Sequence, residues 1–195
     1  MKTLSLLVVG LAAGSAHAFT FSDITWWVGS GTKKAAIVID WHSGPNAQSI
    51  VYGYRFEGVK TGLDMLEAVK ASDARLYTEN VANVSYTAIF GMGFDRNQNG
   101  FSKSDAGDSY REGWFTNGFW GYYKETTTGS TLGGWEFASA GFTDRVLSDG
   151  SWDAWSWAQD FNSEDPRVPT PVPEPSTMIV MLAAGVGITR KFRRK

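Results

Sequence analysis

The chain has 195 residues, a length suited to one domain, with 43% apolar residues, 14% aromatic residues and a formal net charge of −2. The absence of cysteine excludes a disulfide scaffold and a zinc–cysteine site. Two histidines are too few for an imidazole-rich metal centre.

The charges are spread unevenly along the chain. Between Phe19 and Asp165 there are 11 basic and 19 acidic residues, a net charge of −8, whereas six basic residues lie in segments 1–18 and 176–195. Binding to nucleic-acid phosphates needs clustered Lys and Arg, so the acidic body argues against a nucleic-acid partner.

Residues 1–18 are typical of a secretory signal peptide. Lys2 supplies the positive start, Leu4–Ala13 the short apolar stretch, and Ala16-His17-Ala18 the small-x-small cleavage pattern. The pattern predicts export through the Sec translocon and removal of the segment by signal peptidase before Phe19. An N-terminal buried helix is the alternative.

Residues 19–165 form the predicted domain. All nine Trp and 18 of the 22 Gly lie here, and this pairing of aromatic residues with Gly is typical of short strands joined by tight turns. In Ile50–Phe56, alternation places Tyr52, Tyr54 and Phe56 on one face. The predicted strands are Ala35–Trp41, Ile50–Phe56, Val81–Phe90, Gly118–Tyr123, Trp135–Ala138 and Trp152–Ala158.

One helix interrupts this pattern at Thr61–Ala71. Thr61 and Asp64 have the spacing of a capping box, and Leu63, Leu66 and Val69 share one face. We therefore predict a mainly β fold: a single antiparallel sandwich-like domain with one or two short helices. A β-rich α+β sheet covered on one side is the alternative.

The segment from Asp95 to Phe101 matches the first half of a calcium loop of EF-hand or dockerin-like type. Oxygen side chains alternate, Gly100 supplies the sharp turn, and a backbone carbonyl follows. The position of the closing bidentate Glu is occupied by Ala106. The alternative is an Asn-Gly turn in a polar loop. The candidate calcium ligands are Asp95, Asn97, Asn99, Phe101, Asp105 and Asp108.

Clustered aromatic residues suggest a platform for sugar stacking, because a flat apolar ring complements the C–H face of a pyranose. Alternation puts Trp155 and Trp157 on one face of their strand and Trp152 on the other, so core packing is the competing interpretation. The candidate glycan-binding residues are Trp114, Trp120, Tyr122, Trp155 and Trp157.

Catalytic motifs are missing from the sequence: it has no nucleophile elbow, zinc motif or phosphate loop. Asp149 and Asp153 are the acids considered for a glycan-active hydrolase or lyase, although Asp149-Gly150 is also typical of a turn. We predict a non-catalytic domain that requires no cofactor, with that enzyme as the alternative.

Residues 166–175 hold five of the six prolines and predict an extended linker. An apolar run follows at Ser176–Ile188, and basic residues close the chain at Arg190–Lys195. The run is short for a membrane span of about 20 residues, but terminal Arg and Lys can extend it. Residues 176–195 therefore predict a membrane helix with its basic end inside.

The order Val172-Pro173-Glu174-Pro175-Ser176, apolar helix and basic tail resembles the PEP-CTERM sorting signal of exopolysaccharide-producing Gram-negative bacteria. The resemblance covers only this last part of the chain. It implies recognition by an exosortase, a membrane protease, with Pro173, Glu174 and Pro175 marking the processing site. It also implies transient anchoring in the inner membrane and delivery to the cell surface or matrix, where exopolysaccharide or surface proteins are the expected partners. A permanent tail anchor shares the topology and differs in keeping the helix.

Overall fold

The computed structural model describes residues 18–44, 46–81, 88–114 and 117–174. The predicted signal peptide up to residue 17, Pro175 and the predicted membrane helix at 176–195 lie outside the described residues. Among the described residues, no helix has the length and apolar character needed to cross a membrane.

The mainly β prediction is confirmed: two sheets form a sandwich-like domain. A short 3-10 helix at Phe21–Asp23 precedes the first strand, and one α-helix, α1 at Gly62–Ser72, is present in the described part of the chain. The strands are β1 Trp27–Gly29, β2 Lys33–Asp40, β3 Ser49–Phe56, β4 Leu76–Asn80, β5 Ile89–Phe94, β6 Ser109–Glu112, β7 Gly118–Glu125, β8 Trp135–Phe137, β9 Ser151–Gln159 and β10 Thr170–Pro171.

The large sheet has the order β1-β3-β2-β9-β7-β8, with β10 also paired to β3. Its strand directions are mixed, which corrects the prediction of a wholly antiparallel domain: β9 runs parallel to β2, and β1 and β10 run parallel to β3. Parallel neighbours require a long crossover. Here α1 and the second sheet lie in the chain between β2 and β9 and provide it.

The small sheet has the order β4-β5-β6 and is antiparallel. Residues 82–87 of the strand predicted at Val81–Phe90 lie outside the described residues. Of the rest, Ile89 and Phe90 belong to β5, whereas Val81 and Ala88 are outside the strands and the Val81 N–H donates to the Ala88 carbonyl. The sequence did not reveal β4, in which only Leu76 is buried and the apolar alternation of a strand is absent.

The helix α1 begins as predicted. The Thr61 hydroxyl accepts from the Asp64 N–H at 3.3 Å, and the Asp64 carboxylate accepts from the Thr61 N–H at 2.8 Å, forming a capping box. Met65, Leu66 and Val69 are buried in the core, so the apolar face of the helix packs on the large sheet.

Apolar clusters cover both faces of the large sheet at its centre. On the inner face, towards α1 and the small sheet, the core includes Tyr52, Trp155 and Met92. On the outer face, a smaller cluster includes Val51 and Trp152. The alternation predicted for β3 and β9 is therefore confirmed.

Residues 166–174, which we name the C-terminal strap, are packed on the domain. This corrects the predicted free linker at 166–175. Residues Thr170–Pro171 pair with Ile50–Val51 at the edge of β3, and Val172 is 2% exposed in the inner core. Proline is tolerated at a sheet edge because its missing N–H is not required there.

An ion pair between a buried carboxylate and an exposed arginine anchors the start of the strap. Asp40, at the end of β2, is fully buried and accepts hydrogen bonds from the Arg167 backbone N–H and guanidinium. These bonds raise the pKa of Arg167, so the guanidinium stays charged. At the other end, Arg75 donates to the Pro173 carbonyl at 3.3 Å.

We predict that Arg167→Ala lowers the free energy of unfolding by about 2–3 kcal/mol, because the buried Asp40 carboxylate loses charged partners. Chemical denaturation of the full chain measures the change. Val168→Ala, at a residue 72% exposed in the same strap, is the control and should leave stability unchanged. Equal stability of both variants would contradict the anchoring role of Arg167.

Candidate functional site

The predicted aromatic platform is not at the surface. Trp120, Tyr122, Trp155 and Trp157 are between 2% and 7% exposed and lie in the inner core. Neighbouring strands β7 and β9 place these four rings on the face that meets the small sheet. They are core residues, which corrects the glycan-binding assignment of these four; the half-buried Trp114 lies in the loop after β6.

The predicted calcium loop is held by its own hydrogen bonds. The Asp95 carboxylate accepts from the Gln98 and Gly100 N–H groups at 2.6 and 2.9 Å. The residue Asp108 is 3% exposed, and its carboxylate accepts hydrogen bonds from the Arg96 and Ser102 N–H groups.

The remaining candidate ligands also have partners within the domain. The Asn99 and Asn97 amides and the Gly107 N–H donate to Asp105, and these bonds hold the pKa of Asp105 below its usual value. Phe101 stacks on Tyr77, with ring centroids 4.6 Å apart.

Metal binding by this loop stays a prediction. Across the described ranges, no group of three or more His, Asp or Glu side chains is placed to hold a metal ion. Two of the candidate ligands, Asn97 and Asn99, present amide nitrogens towards Asp105 rather than oxygens towards a common point. Calcium would have to compete with these hydrogen bonds.

We predict that Asp108→Ala, measured in EDTA, lowers the free energy of unfolding by about 1–3 kcal/mol, because two loop N–H groups lose their acceptor. Thermal and urea melts test this, with the exposed Asp144→Ala as control. An unchanged melting curve of Asp108→Ala would contradict stabilisation of the loop by its own hydrogen bonds.

Calcium binding is tested in the same assay. A rise in the Tm of the parent protein with millimolar calcium would support the calcium prediction, because a ligand bound only by the native state raises stability.

The two acids considered for hydrolysis lie in different environments. Asp149 is exposed, and its carboxylate accepts from the Lys34 N–H at 2.8 Å in the predicted turn. Asp153 is fully buried on the inner face, where Tyr122 and Arg145 donate to it. Burial raises the pKa of Asp153, with Arg145 opposing the shift. The two carboxylates therefore do not face each other across an open cleft, as a glycosidase requires.

A cleft with a volume of about 860 Å³ lies on the outer side of the large sheet. We name it the N-terminal cleft. Hydroxyl groups are prominent in its lining, together with one indole, two cations and one carboxylate. The lining residues used below are Thr20, Trp27, Lys34, Arg55, Ser130 and Asp149.

Three cleft residues come from three adjacent strands. Trp27 of β1 lies against Gly53, where an added Cβ would be 2.3 Å from the indole ring. Lys34 of β2 and Arg55 of β3 are directly opposite each other, and their charged groups lie 5.5 and 5.1 Å from the centre of that ring. Gly53 therefore makes room for a ring that holds two cations by cation–π attraction.

Two chain segments build the wall of the cleft over Trp152. Phe21 stacks on the Trp152 ring at 4.7 Å, and the Trp152 indole N–H donates to the Gly129 carbonyl. The segments also bind each other, because the Phe21 N–H donates to the Ser130 carbonyl at 2.7 Å.

A buried carboxyl supports the same wall. Glu125, at the end of β7, is 6% exposed and accepts from the Gly133 N–H, while its second oxygen has no partner in the described residues. Burial raises the pKa of Glu125 to about 7, with the Gly133 hydrogen bond opposing the shift. In the unfolded chain the pKa of a Glu is about 4.3, so the native state keeps the proton on Glu125 up to a higher pH than the unfolded state does.

We predict that Glu125→Gln stabilises the protein at high pH and leaves stability nearly unchanged near pH 4. Between the unfolded-state pKa of Glu and the native pKa of about 7, the native state of the parent binds a proton that the unfolded state has lost, so the free energy of unfolding of the parent falls as the pH rises. Above about pH 7 the difference in stability between parent and variant no longer changes. Urea denaturation across this pH range measures it. The exposed Glu67→Gln serves as control, and a difference independent of pH would contradict the assignment.

The sequence missed this cleft because no motif marks it. The three residues Trp27, Lys34 and Arg55 lie on different strands, which come together only when the chain folds. In the sequence, Lys34 is one of two consecutive lysines and is not distinguished from its neighbour. A usable signal was the charged position Arg55 on the face opposite Tyr54 in an otherwise apolar strand.

A scan against protein-family models gave no match to this chain, and searches of curated proteins and of solved structures gave none either. A fold alone does not assign a function. The chemistry of the site and the predicted targeting segments at the two ends of the chain therefore bear on what the protein does.

Proposed function

We propose that this protein is exported, processed at both ends, and retained at the cell surface or in the extracellular matrix, where its β domain binds glycan without catalysis. One observation supports the proposal: residues that lie just inside both predicted processing positions pack on the β domain, so the predicted mature chain keeps their contacts. Sec translocon, signal peptidase and exosortase would act in turn, and the acidic domain would remain outside the cell.

At the N-terminal end, the first two residues after the predicted cleavage position contact the domain. Ala18 is exposed, while the Phe19 carbonyl accepts from the Leu132 N–H at 2.8 Å and Thr20 forms a bridge with Thr131. Cleavage after Ala18 would therefore remove none of these contacts.

At the C-terminal end, Val172 and Pro173, at the start of the Pro-Glu-Pro segment, contact the domain. The Val172 carbonyl accepts from the Thr25 hydroxyl at 2.8 Å, the Pro173 carbonyl accepts from Arg75, and Glu174 is exposed. Cleavage after this point would leave the strap on the domain. The tail-anchor alternative gives the same domain with its helix retained.

The N-terminal cleft supports binding as the activity of the domain. It combines hydroxyl groups with an indole and charged side chains, a set that recognises hydroxylated ligands such as exopolysaccharide. The alternative, a glycan hydrolase or lyase using Asp149 and Asp153, has less support because only Asp149 lines this cleft.

We predict that the extracellular or surface fraction of the producing cells holds a form that starts at Phe19 and lacks Arg190–Lys195. Replacing Pro173, Glu174 and Pro175 together by Ala should leave the tail attached and move the protein to the membrane fraction. Intact-mass spectrometry of each fraction measures both ends.

Val168→Ala, in the exposed part of the strap outside the motif, is the matched control and should be processed normally. An intact tail in a cytosolic pool of the parent protein would overturn export. A mature surface form that still carries Arg190–Lys195 would favour the permanent anchor over exosortase processing.

A further inference from the structure

Lys34 and Arg55 form a pair of like charges at directly opposed positions of β2 and β3. Opposed like charges destabilise a sheet. In the part of the chain that the structure describes, neither side chain forms an ion pair with an acid; their contacts are with the Trp27 ring. The arrangement holds two cations side by side without a counter-charge.

The Trp27 ring holds the charged groups of Lys34 and Arg55 in place. Trp27 is fixed on one side by Gly53 and on its edge by Phe21 at 5.5 Å, and its indole N–H donates to the Ile24 carbonyl at 3.1 Å. A ring held in this way fixes the two cations that lie over it.

The single carboxylate of the cleft does not neutralise the pair. Asp149 accepts from the backbone N–H of Lys34 and not from its ammonium, and the two cations of the lining outnumber its one carboxylate. Asp23, near the cleft, uses its carboxylate to cap the Thr20 N–H and hydroxyl.

We propose that the N-terminal cleft binds the carboxylate of an acidic sugar between Lys34 and Arg55, with the surrounding hydroxyl groups contacting the sugar ring. The proposal rests on the glycan-binding function above and names its ligand class. A guanidinium and an ammonium give charge-assisted hydrogen bonds to a carboxylate, and the guanidinium can bind it in bidentate fashion. Thr20 and Ser130 offer hydroxyls at the rim.

The net charge of the whole domain restricts the class of acidic ligand further. With a net charge of −8 between Phe19 and Asp165, the protein repels a densely charged polyanion. A local cation pair on such a surface suits an isolated carboxylate, such as a single uronic acid unit in a mainly neutral glycan.

The test compares a trisaccharide of one glucuronic acid and two glucose units with its methyl ester, which keeps the sugars and removes the charge. Titration calorimetry uses the full chain in detergent, so the result does not depend on processing. We expect the acid to bind at least about tenfold more tightly than the ester, and more weakly at high salt, because a charge-assisted contact is lost or screened.

Lys34→Gln and Arg55→Gln should each weaken binding of the acid by about tenfold or more. Lys70→Gln, on the exposed side of α1 and paired with Glu67, is the matched control and should bind normally. Arg55→Gln should shift Tm by less than about 3 °C, because relief of the opposed charges offsets the lost cation–π contact. Intact folding with lost binding separates a ligand role from a structural one.

Equal binding of acid and ester would overturn the charge recognition while leaving glycan binding in place. Normal binding of the acid by both Gln variants would place the site elsewhere and overturn the proposal. Direct binding of glucose 6-phosphate or inorganic phosphate, without binding of the uronate, would overturn the carboxylate assignment. Failure to bind either trisaccharide would overturn this inference, while export and processing are judged separately by the mass of the mature chain.

Discussion

Burial of both faces at the centre of the large sheet is the constraint on which the rest of the structure depends. Every residue of β9 from Ser151 to Ala158 is buried, and β2 beside it is buried from Ala35 to Asp40. Strands of this kind need covering layers on both sides. The inner layer is supplied by α1 and the small sheet; the outer layer is supplied by the segment around Phe21 and the loop that carries Gly129.

The outer layer is incomplete, and the N-terminal cleft results from this. Trp152 is fully covered by the two outer segments, but the sheet extends beyond them to β3 and β1. There the exposed side of the sheet carries Lys34 and Arg55 instead of apolar residues. The same constraint that stabilises the core therefore leaves one polar opening beside it.

The central strands also bring acids into the interior, where arginines bind them. Asp40 binds Arg167, 127 residues away in the chain, and so fixes the strap, whereas Asp153 binds Arg145, only 8 residues away. A buried carboxylate without such a partner is strongly destabilising. The Asp40–Arg167 pair therefore joins a remote segment to the large sheet, so a proline-rich stretch that resembles a linker packs as an edge strand.

The sequence by itself determined the local features: the capping box at Thr61, the alternation in β3 and β9, and the mainly β class. These follow from hydrogen bonds and side-chain periodicity within a few residues. Only the tertiary structure decided which aromatic rings are core, where β5 begins, and which charged residues share the N-terminal cleft. Alternation assigns Trp155 and Trp157 to a face, but whether that face is exposed depends on elements far away in the chain, here α1 and the small sheet.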